Sequence, residues 1–522
     1  MTAVLERRAR DLDRLTDQRW DLLVVGGGIV GVGAALDAAL RGLRVALIER
    51  DDIASGTSSR SSKLIHGGLR YLEHLHFGLV RQALDERSRL LRLAPHLVRL
   101  EAFLVPIYGN PLQVPYIGAG MVLYGLLGAA RDGGWPRVMG ARRALEHAPS
   151  LRPDGLRGAF VYTDGVEDDA RLALTVARTA QSAGALVLTR VEALAPEAFE
   201  SRPVAACDRL SGTALEIRTD AVLDATGASR PDPGVLPSRG AHILVPRERI
   251  SSRHGLTIRV PGRVIFVIPW KRHWIIGTTD VPHDGDTARP AATATEVDYL
   301  IEHANAALSA DLTRADVVAT YAGVRPLAVN AGERPFESSH ASREHRVLRS
   351  GRVTQVRGGK YTTYRLIARD AVNAAVGRRA DVTRDHRLLG AADGDERRRV
   401  ADDVARRGVD PELAIGLAER HGTLAGEVAA YAAAWGLLSP LGESHYLEGE
   451  VAWAVEKEMA FSLDDVLARR TRLALEGADH GASVAGRVAE IMGGLLGWST
   501  QAQRDGVKEF RISSTAEYGV PA

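Results

Sequence analysis

The chain reads as a mixed α/β protein: a Rossmann-like dinucleotide-binding domain, a β-rich second domain and an α-helical C-terminal domain. Three observations predict this. Residues 21–50, "DLLVVGGGIVGVGAALDAALRGLRVALIER", carry strand, glycine turn, thin helix and second strand in one βαβ unit. The runs "VIFVIPW" and "HWIIGTTD" (264–280) alternate as a hairpin does. From about residue 390 onward the apolar period is helical throughout. At 522 residues the chain exceeds what one core organises. The expected partition is a nucleotide-binding domain in three segments (18–95, 160–236 and 349–388), a cap segment at 96–159, a substrate-binding domain at 237–348 and a helical domain at 389–522. The Asp- and Gly-rich "GAADGDE" (390–396) is the expected joint.

The N-terminal "MTAVLERRARDLDRLTDQRW" predicts a charged helix leading into the first strand. Its charges interrupt any signal-peptide core. The net charge of +2 gives no sign of a nucleic-acid partner. The single cysteine, Cys207, permits no intrachain disulfide and points to a reducing compartment. Residues 102–130 contain no charge. Pro106, Pro111 and Pro115 are expected to break this stretch before it reaches the roughly 20 residues of a spanning helix. Residues 115–130 then read as a buried helix or a membrane-surface contact, with length favouring burial. "TDAVLDATGAS" (219–229) reads as a strand ending in a small-residue turn, and "GGKYTTYRLIARDAVNAAV" (358–376) as a glycine loop opening a helix.

Gly26-Gly27-Gly28-Ile29-Val30-Gly31 fits the dinucleotide fingerprint. Gly26 makes the tight turn, Gly28 admits a pyrophosphate to the backbone and Gly31 allows close helix–strand packing. The phosphates would sit at the helix N-terminus, where unpaired N–H groups and the dipole favour anions. Glu49 ends the second strand about 20 residues on, where a carboxylate holds ribose hydroxyls. The fingerprint alone does not choose between NAD and FAD. No second GxGxxG is present for a separate nicotinamide site.

Residues 58–74, "SSRSSKLIHGGLRYLEH", mix serines, Lys63, His66, Arg70 and Tyr71 with apolar residues. That mixture suits neither a plain surface loop nor a plain core segment. Together with "DATG" (224–227), "GVRPL" (323–327), "SREH" (342–345) and "GGKYTTYR" (358–365), it resembles the FAD-dependent glycerol-3-phosphate dehydrogenases, flavoproteins of the D-amino-acid-oxidase type. The resemblance implies non-covalent FAD held by Gly26, Gly28, Gly31, Glu49, Ser58, Ser59, Ser62, Lys63, Leu64, Thr226, Gly227, Gly359, Lys360 and Thr362. It implies substrate binding by Arg70, Tyr71, Arg325, Arg343 and Lys360. His66, His242 and Arg325 are the catalytic candidates, and the residues alone do not choose the proton acceptor among them. No metal is expected. Tyr361 and Tyr364 read as packing groups. One departure from the family pattern follows Ala-Thr-Gly, where Ala228-Ser229-Arg230-Pro231 stands in place of the usual Trp and acid.

The chemistry is consistent with this. A small polyol phosphate needs several cations, and Arg forks match phosphate oxygens. Hydride leaves C2 for the flavin while the C2 hydroxyl loses a proton. The expected acceptor is a membrane quinone, with the protein cytoplasmic and peripheral on the inner face of the cell membrane. An oxidase using O2, a flavin oxidase of amino or hydroxy acids, a flavoprotein with a purely structural role, and a homodimer are the open alternatives.

Overall fold

The computed structural model describes residues 2–73, 75–109, 112–194, 199–230, 232–261, 263–329 and 344–522. Two sheets organise them. The strand Arg19–Val25 runs parallel to Val45–Glu49 on one side and to Ala214–Asp224 on the other. Leu186–Thr189 and Val353–Gly358 extend this parallel sheet outward, and His345–Ser350 closes one edge antiparallel. The side chains of Leu22, Leu23, Val24 and Val25 are all buried, as a parallel strand covered on both faces requires. The helix Ile29–Leu40 lies on this sheet beside Asp169–Ser182 and Tyr364–Val376. Its alanines and glycines let the three helices approach closely.

The second sheet is mostly antiparallel. Its long strands are Val98–Tyr108, Leu156–Glu167, Val235–Pro246 and Ala319–Ala328. Arg263–Trp270 and His273–Gly277 pair antiparallel, as the alternation in 264–280 predicts. The helix Ala294–Ala307 covers one face, with a capping box between Thr293 and Glu296.

The C-terminal quarter is helical: Gly394–Arg406, Pro411–His421, Ala425–Ala434, Glu448–Lys457, Ala485–Leu496 and Thr500–Tyr518. Asp393 and Asp410 cap the first two of these helices through their side chains. Part of this region shares an apolar core with the second sheet, so it is packed onto the molecule and not strung from it.

The structure corrects two boundaries of the expected partition. Leu156–Glu167 belongs whole to the second sheet, so 159/160 cuts a strand. His345–Ser350 belongs to the parallel sheet, so 348/349 cuts another. In each case hydrogen-bond pairing with a distant strand decides the sheet.

The structure also corrects the reading of 102–130. Pro106 lies within a strand. Pro115 stands in the first turn of a helix, where a missing N–H costs nothing. Gln113–Gly133 is therefore helical over 21 residues, long and apolar enough by composition to cross a membrane, with a kink at Gly128 (φ +133°). It is not buried core. Only 33% of its most apolar window is buried, and Leu126 is 68% exposed.

Candidate functional site

Three chain turns meet at the C-terminal ends of the parallel strands. The Gly26 N–H donates to Ile48 O and the Ala225 N–H to Val25 O, both at 2.9 Å. Gly26 adopts φ +111°, and a Cβ there would lie 2.7 Å from Ala225 O. A Cβ on Gly31 would lie 1.9 Å from Gly26 O. The fingerprint glycines are thus demanded by local geometry, and they bring the start of the helix Ile29–Leu40 up to the turn. No side chain caps this helix at Gly28. Glu49 is turned inward, its carboxylate accepting from the N–H groups of Gly27 (2.6 Å) and Asp51 (2.8 Å). Burial raises its pKa.

A cavity of about 1030 Å³ opens from this turn. Its volume exceeds the usual range for a single small ligand, roughly 300–1,000 Å³. Gly26, Gly28, Glu49, Thr226 and Gly227 line it. Ser58, Ser62, Leu64, Gly359, Lys360 and Thr362 line it as well. The Ser58 hydroxyl accepts from the Ile29 N–H at 2.9 Å, which ties the serine loop to the dinucleotide helix. The glycine at the helix start, the close glycine turn and the inward carboxylate suit an extended dinucleotide, so the residues present fit FAD.

The same cavity holds the polar groups expected around a substrate. His242 and Arg325 stand on neighbouring strands, in the pairs His242–Tyr321 and Ser238–Arg325. The His242 ring stacks on Tyr321 at 4.5 Å, and its Nε2 lies 2.8 Å from the Ser62 hydroxyl. The Arg325 guanidinium donates to the Thr278 hydroxyl (3.0 Å) and Thr279 O (3.3 Å), and it lies 3.5 Å from Asp280. The Lys360 ammonium sits 3.6 Å from the centre of the Tyr71 ring. His66 is half-buried in the cavity wall, its ring edge-on to Phe266 at 6.0 Å and its backbone N–H donating to the Thr362 hydroxyl. Arg70 starts the short helix Arg70–Glu73. Arg343 lies outside the described residues.

Three expected cofactor residues do not line the cavity: Gly31, Ser59 and Lys63. Gly31 acts through backbone packing, as stated. The expectation that Lys63 faces the cofactor is corrected. Its ammonium is fully buried and bound to both carboxylate oxygens of Asp169 (2.8 and 2.7 Å) and to Ser59 O (2.7 Å). A desolvated cation needs a fixed counter-charge, and Asp169 supplies it. Burial outweighs that pull and draws the ammonium's pKa down to about 8. Tyr361 and Tyr364 are packing groups, packed against the core beneath the dinucleotide helix.

Sequence reasoning missed Asp169, Thr278 and Tyr124. The Tyr124 hydroxyl accepts from the Gly67 N–H at 3.0 Å and donates to Asp164 at 2.7 Å, so it supports the turn beside His66. "DD" at 168–169 directly after a strand was the available signal for the first of them.

Residues 21–365 match the family of FAD dependent oxidoreductases, and residues 381–503 match the C-terminal domain of alpha-glycerophosphate oxidase. A glycerol-3-phosphate dehydrogenase of Mycobacterium leprae is 44% identical over 95% of this chain and 88% of its own length. The chain belongs to the FAD-dependent glycerol-3-phosphate dehydrogenase family. The mitochondrial glycerol-3-phosphate dehydrogenase of Bos taurus is 36% identical over 97% of this chain and 74% of its own. The crystal structure of the glycerol-3-phosphate dehydrogenase from Bacillus halodurans complexed with FAD superposes with a TM-score of 0.78 at 27% identity, covering 98% of this chain and 97% of that one. A member of this family takes FAD, and the cavity described above is where this chain's residues fit it.

Two predictions follow from this geometry. The first is that the FAD is non-covalent: acid precipitation should leave the flavin in the supernatant, and colour in the protein pellet would contradict this. The second concerns His242. Burial, and then the positive charges of Arg325 and Lys63, hold its imidazole well below the ordinary 6.5. The unfolded chain therefore takes up a proton near pH 6.5 that the folded chain does not, and stability falls as pH drops. Between pH 7.5 and 5.5 the loss should be about 1.4 kcal/mol. Thermal melts of wild type and His242→Gln at both pH values check this. Equal losses in both proteins would show that His242 is charged in the fold.

Proposed function

We propose that this protein oxidises sn-glycerol 3-phosphate to dihydroxyacetone phosphate. The observation that carries the reading is the meeting, in one cavity with the dinucleotide turn, of two cations and a histidine: Arg325, Lys360 and His66. When bound, FAD supplies the hydride acceptor. Arg325 and Lys360 bind the phosphate dianion, with Arg70 and Arg343 as further proposed ligands. Arg325 is oriented beforehand by the Thr278 hydroxyl and Thr279 O, so little rotamer freedom is lost when the anion arrives. Tyr71 shapes the pocket beside Lys360. His66 accepts the proton of the C2 hydroxyl. His242 is the poorer base, because burial suppresses its basicity and Ser62 occupies its Nε2. It orients Ser62 instead.

Arg325→Lys should lose roughly 2–5 kcal/mol of transition-state binding, because a point charge cannot keep the forked contacts to a partly desolvated anion. The ratio kcat/KM for glycerol 3-phosphate with an artificial acceptor measures it, and glycerol should be a very poor substrate. An unchanged kcat/KM would remove Arg325 from the site.

We further propose that the electrons pass to a quinone and that the protein rests on the cytoplasmic face of the membrane. The support is the helix Gln113–Gly133. Tyr116, Ile117, Gly120 and Leu123 line the cavity, while Val122 and Leu126 stand exposed on the same helix. Leu112 and Trp135, which flank it in sequence, and Leu75, which follows the short helix Arg70–Glu73 that contacts it, add further exposed apolar surface, at 72%, 56% and 72% exposure. Such a surface suits insertion among lipid headgroups, and quinones reside in the bilayer. Fractionated cells should hold the protein in the membrane pellet, and the double variant Val122→Lys, Leu126→Glu should release it. Wild-type protein found wholly in the soluble fraction, with peroxide formed one-for-one with product, would replace this reading by an oxidase.

A further inference from the structure

The loop Gly56–Lys63 lines the cofactor cavity, yet its sequence, Gly-Thr-Ser-Ser-Arg-Ser-Ser-Lys, contains no apolar side chain. Hydrophobic burial therefore cannot fix its shape. Hydrogen bonds and ion pairs must do so, and many of their partners lie more than 400 residues downstream. Arg60 donates to the Glu517 carboxylate through Nε (2.9 Å) and a terminal nitrogen (2.6 Å), and both side chains are buried. Arg472 donates to Ser59 O (3.4 Å), to Asp168 (2.6 Å) and to Asp169. Asp169 in turn accepts from the Ser61 N–H (2.9 Å) and hydroxyl (2.7 Å) and from Lys63. Just before the loop, fully buried Asp52 is gripped by Arg469 and Arg470. Asp465, Arg469 and Glu517 also reach the cavity wall.

We propose that the C-terminal helical domain is part of the cofactor site: Arg469, Arg470, Arg472 and Glu517 hold the polar loop Gly56–Lys63 in the shape that receives FAD, with Asp169 as the shared counter-ion. These are positioning residues, acting on the loop through Ser59, Arg60 and Ser61. The inference rests on the FAD assignment and is independent of the substrate and acceptor. It gives the domain a task beyond packing: a chain without it would keep the dinucleotide fingerprint but lose the fixed serine loop.

The test is FAD affinity of the folded protein. Apoprotein of wild type, Glu517→Gln, Arg60→Met, Arg472→Met and the exchanged pair Arg60→Glu with Glu517→Arg is titrated with FAD, following flavin fluorescence. Far-UV circular dichroism and melting of each apoprotein measure folding separately. The expected result is a rise of tenfold or more in the FAD dissociation constant for each single variant that folds, with altered visible circular dichroism of the bound flavin. The exchanged pair should recover much of the affinity lost by Arg60→Met. If Arg472→Met does not fold, Glu517→Gln, which keeps a hydrogen-bond acceptor of the same shape, decides alone. FAD dissociation constants within twofold of wild type in the folded variants would overturn the proposal, whatever happens to their melting temperatures. A proposed substrate that fails in assays would leave these binding results untouched, so the two readings fail separately.

Discussion

A single carboxylate, that of Asp169, is the meeting point on which the site depends. It begins the helix Asp169–Ser182 and accepts hydrogen bonds from Ser61, Lys63, Arg472 and the Ala170 N–H, all within the buried interior. Its own backbone oxygen accepts from the Tyr361 hydroxyl, beside the Gly358–Gly359 loop. Three stretches far apart in sequence, around Ser61–Lys63, Tyr361 and Arg472, are therefore tied to one residue. The arrangement is stable only as a whole. Charges taken from water cost several kcal/mol each, and removing one partner of a buried pair costs roughly 3–5 kcal/mol because its neighbour is left uncompensated. Asp169 is paired with two cations; its loss would strand Lys63, while Arg472 would keep only Asp168. The same logic raises specificity: a loop held by six or so directed contacts has one shape, where an apolar loop could slide.

The two sheets contribute different things to the cavity. The parallel sheet supplies converging backbone ends, which need glycine and leave N–H groups facing inward. The second sheet supplies side chains. On adjacent antiparallel strands, residues alternate between faces, so His242 and Arg325 can project from long strands whose other residues build the core. Rigid strands set the distance between these groups more firmly than loops would. The price appears at His242, whose ring is stacked on Tyr321 and fully enclosed, and whose basicity is therefore suppressed.

What was legible in the sequence was local. The fingerprint from Gly26 to Gly31 is a backbone requirement within six residues, and the strand before and helix after it are adjacent. The hairpin at 264–280 and the helical C-terminal quarter rest on short periods. Lys63 was misread because a motif states which residues lie near one another in sequence and not where a side chain points; its partner is 106 positions away. The segment boundaries near 159 and 348 were misread because a strand's sheet is chosen by a remote hydrogen-bonding partner. The helix Gln113–Gly133 was misread because proline breaks a helix in its interior but not in its first turn. In each case the missing information was tertiary.

That helix also shows how surface and site are joined. Tyr124 on it is fully buried, and its hydroxyl bridges the Gly67 N–H and Asp164. Asp164 is held in turn by Arg87, which donates to Ala129 O near the far end of the same helix. The helix is thus fastened at two places to the turn carrying His66, while Val122 and Leu126 on its outer side meet solvent. A buried hydroxyl, carboxylate and guanidinium that satisfy one another are expensive to separate, since each would be left unpaired. A displacement of Gln113–Gly133 as a body must therefore either carry the Gly67 turn with it or break this network. An apolar surface that approaches the helix from outside acts on the same rigid element that shapes the pocket beside His66.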